Sequence, residues 1–200
     1  MLNIVIATTN GDKFRELKSL FAGLPIRWRS LNEFPQAPSV KETGRTFAAN
    51  AIKKARLVAR ATGCVALADD SGLEVEALGG APGIRSARFA NRPGDDEANN
   101  RKLLRRLKGI PLPQRRARYH CALALGNPSR LLRVVNGQWR GRIALQAAGR
   151  NGFGYDPLFF LPRFGRTVGQ LPRRVKQQSS HRAAAARKLR PFLSGVAGNR

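Results

Sequence analysis

The chain predicts a single mixed α/β domain. Three observations carry that expectation. The length of 200 residues suits one domain. The 42% hydrophobic fraction supplies a core and argues against disorder. Short Ile- and Val-rich runs alternate with stretches of helical periodicity, so strands and helices are interspersed along the chain. No internal repeat or long low-complexity segment interrupts this pattern.

The elements follow in order. Leu2–Ala7, "LNIVIA", reads as a buried strand. Turn chemistry at Asn10-Gly11 follows, and then "KFRELKSLFAG" places Phe14, Leu17, Leu20 and Phe21 at helical spacing before Gly23. Ile26–Leu31 is a second strand candidate. Thr46 to Thr62 is Ala-rich and helical, with Gly63 as its stop. Val65–Ala68 reads as a strand that ends at Asp69-Asp70. The Gly- and Pro-rich residues 72–94 read as an ordered loop. Asp95–Leu107 predicts a helix with acids in its first turn and bases in its last, as the macrodipole favours. Arg118–Leu125 and Leu131–Val135 pair as strands around a turn at Asn127-Pro128. Residues 149–157 form a second Gly-rich loop. Ser179-Ser180 caps a final helix that runs to about Phe192.

Composition narrows the function classes. No apolar run is long enough to span a bilayer, and "MLNIVIATTN" lacks the pattern of a signal peptide, so a cytoplasmic location is expected. Cys64 and Cys121 are too few and too far apart for a disulfide framework or a zinc site, and both read as buried small residues. Lys and Arg number 37 against 12 Asp and Glu, for a formal charge of +25. Such a charge attracts polyanions and allows weak, non-specific contact with nucleic acid. The acids are segregated: eleven of the twelve lie between Asp12 and Glu97, which leaves Asp156 alone in a basic C-terminal half.

Four constellations offer chemistry. In "ATTNGDK" a strand feeds a helix through a small polar loop, so backbone N–H groups and Lys13 stand where an anion binds; the plainer reading is a capped turn. Asp69-Asp70, with Glu42 from another loop, offers carboxylates for Mg²⁺ and for a general base; an Asx-turn into Ser71-Gly72 is the equal alternative. In "GFGYDP" the glycines leave the Phe153 ring accessible to a planar base, with Asp156 beside it, or the ring is a small core plug. In "KQQSSHR", Lys176, His181 and Arg182 straddle a helix start. His120, within an alternating strand pattern, reads as structural. Together the four describe a phosphate tail, a divalent metal and a planar base.

The order of these motifs resembles the inosine/xanthosine triphosphate pyrophosphatases, the dITP/XTP diphosphatase or Ham1-like family. The matching stretches are "IATTNGDKFREL", "ETGRTFAANAIKKA", "ALADDSGLEVEALGGAPGIRSARFA", "NGFGYDPLFF" and "SSHR". The resemblance implies a mixed α/β fold with an elongated central sheet, flanking helices and two lobes around a cleft. It implies Mg²⁺-dependent hydrolysis of dITP, ITP and XTP to monophosphate and pyrophosphate by a homodimer. By motif, Thr8, Thr9, Asn10, Gly11, Asp12 and Lys13 contact the triphosphate. Glu42 and Asp70 bind the metal. Asp70 is also the general base, with Ser71 beside it as a substrate contact. Asp69 fixes the turn or supports the site from behind. Phe153, Gly154, Tyr155, Asp156, Lys176, His181 and Arg182 recognise the nucleotide. Ala49 stands where many relatives carry Glu. Two rival readings are a basic nucleic-acid-binding module without catalysis and a pyrophosphatase for modified pyrimidine nucleotides.

Overall fold

The computed structural model describes residues 1–92 and 94–198. Seven strands and five α-helices follow one another as β1 (Leu2–Ile6), α1 (Gly11–Leu20), β2 (Ile26–Ser30), α2 (Phe47–Thr62), β3 (Val65–Val75), α3 (Asp96–Arg106), β4 (Arg116–Gly126), β5 (Leu131–Ile143), β6 (Phe159–Leu161), β7 (Arg166–Thr167), α4 (Arg173–Ser179) and α5 (His181–Gly198). The strands form one sheet in the order β2-β1-β3-β4-β5-β6-β7. Its first three strands are parallel, with Ile4 opposite Trp28 on one side and Val65 on the other. The last three are antiparallel. This is the mixed α/β class with flanking helices that the sequence predicts.

The chain divides into two compact units. The first comprises Met1–Asp70, Cys121–Gly137 and Arg182–Arg200; the second comprises Ser71–His120 and Gln138–His181. The core of the first unit gathers Ile4, Ile6, Leu17, Phe21, Leu67, Leu123, Leu125 and Leu189. Ile4 and Ile6 on one face of β1 and Val5 on the other are all fully buried, which is why the run is apolar from Ile4 to Ala7 rather than alternating, with Asn3 exposed at its start. The core of the second unit gathers Leu73, Leu103, Tyr119, Trp139, Tyr155, Leu158 and Phe159. Each fully buried Leu, Ile or Phe contributes about 1.5–3 kcal/mol.

Local signals place the helices accurately. The Asn10 side chain accepts the Lys13 N–H and starts α1. Thr46 accepts the Ala49 N–H to start α2, and Gly63 closes it at φ +66°. Asp95 caps α3. The Asn127 side chain accepts the N–H groups of Ser129 and Arg130 and closes the expected turn between β4 and β5.

Several expectations are corrected. β3 does not end at Asp69-Asp70 but runs on to Val75, so both aspartates sit inside a strand and no Asx-turn forms there. Residues 72–94 are not one loop: they continue β3 and then form short 3-10 turns at Glu76–Leu78 and Gly83–Arg88. β5 extends to Ile143 instead of stopping at Val135. β6, β7 and α4 are additional, and α5 continues through Pro191 to Gly198. Cys121 is buried as expected, whereas Cys64 is half-buried.

Candidate active site

The first unit places two adjacent carboxylates in opposite surroundings. Asp69 and Asp70 follow the apolar run Ala66–Ala68 on β3, and successive residues of a strand point to opposite faces. Asp69 is 2% exposed. Its Oδ1 accepts from Lys13 Nζ at 3.0 Å, and its Oδ2 accepts from Arg182 Nε at 3.1 Å and from the Cys121 thiol at 3.3 Å. Arg182 also reaches Glu16 at 3.4 Å. Burial acts to raise the Asp69 pKa, but the Arg182 and Lys13 charges overcome it and hold the carboxyl well below its ordinary range. Burial and the Asp69 charge push the Cys121 thiol up, so it stays a neutral donor.

Asp70 is equally buried and far less compensated. Its nearest cation is Lys54 Nζ at 3.7 Å. Its Oδ2 is buried without a hydrogen-bond partner among the described residues. Burial is the largest effect and, against the pull of Lys54 and with help from Glu42, pushes the Asp70 carboxyl up to about 6. Lys54 donates to Glu42 Oε1 at 2.7 Å and to the Asp69 carbonyl at 2.9 Å. Burial alone would lower the Lys54 pKa; the Asp70 and Glu42 charges raise it.

Helix α2 organises this second group. Asn50 and Lys54 lie four residues apart and so share one helical face. Asn50 Oδ1 accepts the Gly44 N–H at 2.7 Å, and Lys53 donates to Thr43 Oγ1 at 2.9 Å. A Cβ at position 44 would stand 2.7 Å from that same Asn50 oxygen, so only glycine lets the "ETG" segment lie against the helix. The segment thereby carries Glu42 to Lys54.

The second unit holds the other group. Asp156 is 1% exposed and is the focus of the Gly-rich loop. Its Oδ2 accepts from Lys176 Nζ at 2.6 Å and from the Phe153 N–H at 2.9 Å, and its Oδ1 accepts from Tyr119 Oη at 3.3 Å. Lys176 also sits 4.0 Å from the centre of the Phe153 ring, a cation–π contact. The Tyr119 and His181 rings stack at 4.6 Å and 12°. Gly152 has φ +83°, and a Cβ there would fall 1.9 Å from Asp156 Oδ2. The loop can close on its carboxylate only with glycine at 152. Asp96 and Asn100 of α3 bind the Gly154 N–H and carbonyl at 2.6 and 3.0 Å.

Set against the sequence, the first unit brings Lys13, Asp69 and Arg182 into one cluster, with Glu42 and Asp70 meeting at Lys54. Thr8 and Asn10 shape the α1 start: the Asn10 N–H donates to Thr8 Oγ1 at 3.1 Å. Thr9 is on the exposed approach to that helix, Gly11 is its exposed first residue, and Asp12 pairs with Arg15 at the surface. The second unit brings Phe153, Asp156 and Lys176 together, with His181 stacked on the Tyr119 that bonds Asp156; Gly154 is held by Asp96 and Asn100, and Tyr155 turns into the core, where its hydroxyl donates to the Ser86 carbonyl at 2.8 Å. Ser71, half-buried, is the first residue of that unit. One placement needs correction: Asp69 fixes no turn but is an ion-pair centre within a strand. Lys176, His181 and Arg182 do straddle the α5 start, Lys176 within α4 and the other two opening α5, and Arg182 turns its guanidinium to Asp69 and Glu16. Lys54, Asn50, Tyr119 and Asp96 were not singled out by the sequence. The i,i+4 relation of Asn50 and Lys54 on a helix that begins beside "ETG" is the one signal that could have found the first two; Tyr119 and Asp96 come to the site only through the fold.

A mixed sheet with lysine-held carboxylates, a capped helix start and a carboxylate-closed Gly-rich loop belongs to the α/β proteins built to hold phosphorylated ligands. The Ham1 family model matches residues 4–192, and the chain belongs to that family. A dITP/XTP pyrophosphatase of Geobacillus kaustophilus is 48% identical over all of this chain and 98% of its own length. A second relative of that name, from Listeria monocytogenes, is 47% identical over 98% of this chain and 97% of its own. The structure of a HAM1 protein from Coxiella burnetii superposes with a TM-score of 0.88 at 41% identity, covering 98% of this chain and all of that one.

Proposed function

We propose that the chain hydrolyses non-standard purine nucleoside triphosphates, dITP, ITP and XTP, to the nucleoside monophosphate and pyrophosphate. Family membership and the relatives' names support the reaction. The observation that carries its chemistry is Asp70: a buried carboxylate with one unpartnered oxygen and a raised proton affinity, beside a lysine shared with Glu42.

Glu42 and Asp70 suit a divalent ion. Among the described residues no three His, Cys, Asp or Glu side chains converge on a metal position. The fit to Mg²⁺ rests instead on the two carboxylates and the unpartnered Asp70 Oδ2, since that ion takes one or two carboxylates and completes its shell with phosphate oxygens and water. When bound there, Mg²⁺ supplies neutralisation of phosphate charge and a fixed orientation for the phosphate chain.

The chain's own groups do the rest. Asp70 takes a proton from the attacking water as the new O–Pα bond forms and the bond from Pα to the bridging oxygen breaks, releasing pyrophosphate. A base works best with a pKa near the working pH, and burial moves Asp70 toward it. Lys54 steadies both carboxylates. Lys13 and the backbone N–H groups of Thr9, Gly11 and Asp12 at the α1 start receive phosphate charge, in a turn that the Asn10 N–H to Thr8 Oγ1 bond holds. Phe153, Gly154, Tyr155, Asp156, Lys176 and His181, with Ser71, serve nucleotide recognition in the second unit, while Arg182 holds Asp69 and Glu16 in the first. Inosine and xanthosine present a 6-oxo acceptor where adenosine presents a 6-amino donor. A pocket of N–H donors then rejects ATP by ~10⁴-fold or more.

The homodimer and the cytoplasmic location implied by the resemblance are part of this reading; sedimentation at moderate salt tests the first. No described helix is long and apolar enough to cross a membrane. The main experiment is steady-state hydrolysis of dITP, XTP, ATP, GTP and modified pyrimidine triphosphates with Mg²⁺, following pyrophosphate. Turnover concentrated on dITP and XTP supports the proposal. Equal turnover across the panel overturns the specificity, and no turnover overturns the reaction.

A further inference from the structure

We propose that the solvent face of β4 and β5 in the second unit docks the phosphate backbone of duplex nucleic acid. Arg116 and Arg118 lie two residues apart on β4, both exposed, on either side of the buried Ala117. Arg140, exposed, and Arg142, half-buried, repeat that arrangement on β5 around Gly141. The two strands are neighbours in the sheet. All four arginines line one open concavity of about 390 Å³.

The charge there is largely uncompensated. Arg118 pairs with Glu74 at 2.5 Å, and Glu76 is the one carboxylate among the described residues that lines the concavity beside the four arginines. Among the described residues Arg116, Arg140 and Arg142 carry no ion pair. None of the four belongs to the groups assigned to catalysis, so this inference stands apart from the proposed reaction.

The chemistry selects the occupant. Guanidinium forks match phosphate oxygens in two-point contacts. Two residues along a strand span about 6.6–6.8 Å, a separation close to that of neighbouring phosphates in a nucleic-acid strand. No aromatic ring lines the concavity. Single-strand binders rely on such rings to stack unpaired bases. A basic groove without them reads backbone alone, and a duplex offers backbone with its bases hidden. The overall charge of +25 adds long-range attraction to a polymer that a small phosphate cannot exploit as fully.

The test is fluorescence anisotropy with labelled duplex DNA and the matching single strand over a salt series. Three variants of the full chain are compared with wild type. The first replaces the quartet: Arg116→Gln, Arg118→Gln, Arg140→Gln and Arg142→Gln. The second replaces only Arg140 and Arg142 by Gln. The third is a charge-matched control in the first unit: Lys18→Gln, Arg27→Gln, Arg56→Gln and Arg60→Gln. The expected result is duplex binding tighter than single-strand binding. The quartet variant should weaken it about tenfold or more, with the log K against log salt slope falling by about two to three. The double variant should take about half of that slope, and the control much less. Retained dITP hydrolysis in each variant shows that it is folded. Equal weakening by quartet and control, tighter single-strand binding, or an unchanged slope in the quartet or double variant overturns the proposal.

Discussion

Asp69 and Asp70 are adjacent, carry the same side chain and are almost equally buried at 2% and 4% exposure. Their surroundings move them in opposite directions. Asp69 faces Lys13, Arg182 and the Cys121 thiol and is held as a carboxylate. Asp70 shares Lys54 with Glu42, keeps one oxygen unpartnered and is pushed up to about 6. Burial thus does not decide the state of an acid; the number and closeness of its cations does. One strand thereby presents a fixed structural anion and a proton-accepting one at consecutive positions.

The comparison breaks most visibly at Asp69. Asp69→Ala leaves Arg182 and Lys13 facing an empty site, and removing one partner of a buried ion pair costs about 3–5 kcal/mol. Denaturant unfolding should show that loss; a change below about 1 kcal/mol would mean the pair is not the anchor. Asp70→Asn should act in the other direction. The interval from 3.8 to about 6 corresponds to about 3 kcal/mol of native-state penalty on the ionised form. The variant should be more stable than the metal-free wild type at pH 7, by up to that amount.

The sign can be checked by pH. A carboxyl with a raised folded pKa favours the native state at low pH, and that advantage is lost as pH rises from about 4 to about 6. In the presence of chelator, the stability gap between Asp70→Asn and wild type should open across that window and stay level above it. Lys54→Met should widen the contrast: without its nearest cation, Asp70 rises further and the upper edge of the window moves to higher pH. A window that stays in place would mean Lys54 is not the group that restrains Asp70. The smallest effect belongs to the second unit. Tyr119→Phe removes one 3.3 Å bond to Asp156, which Lys176 and the Phe153 N–H still hold, and should cost about 1 kcal/mol.

What the sequence revealed depended on how local the cause was. The turn at Asn10-Gly11, the helix starts at Thr46 and Asp95, the Gly63 stop and the Asn127 turn act within a few residues, and all were legible; that Asn10, Thr46 and Asp95 serve as the caps is what the fold adds. The course of β3 was not. Asp, Ser and Gly are poor strand formers, so "DDSG" reads as a terminus. It remains strand because Lys13 and Arg182, 56 and 113 residues from Asp69, neutralise the buried charge. β5 was cut short for the same reason: Asn136-Gly137 has turn composition, yet the chain continues until Trp139 and Ile143 enter the core of the second unit. β6 and β7, three and two residues long, offer no period to read. At the site, the motif residues were visible as motifs. Lys54 was one base among many on a helix, and only the fold brings it to Glu42 and Asp70.

The division of labour between the two aspartates is tested most directly by measuring dITP hydrolysis and melting temperature together on purified Asp70→Asn. The expected result is activity lower by about 10²–10⁴-fold, the usual worth of a general base, in a protein that melts at or above the wild-type temperature. Wild-type turnover by Asp70→Asn, or a melting temperature that falls with the activity, would contradict a chemical role for Asp70 beside a structural one for Asp69.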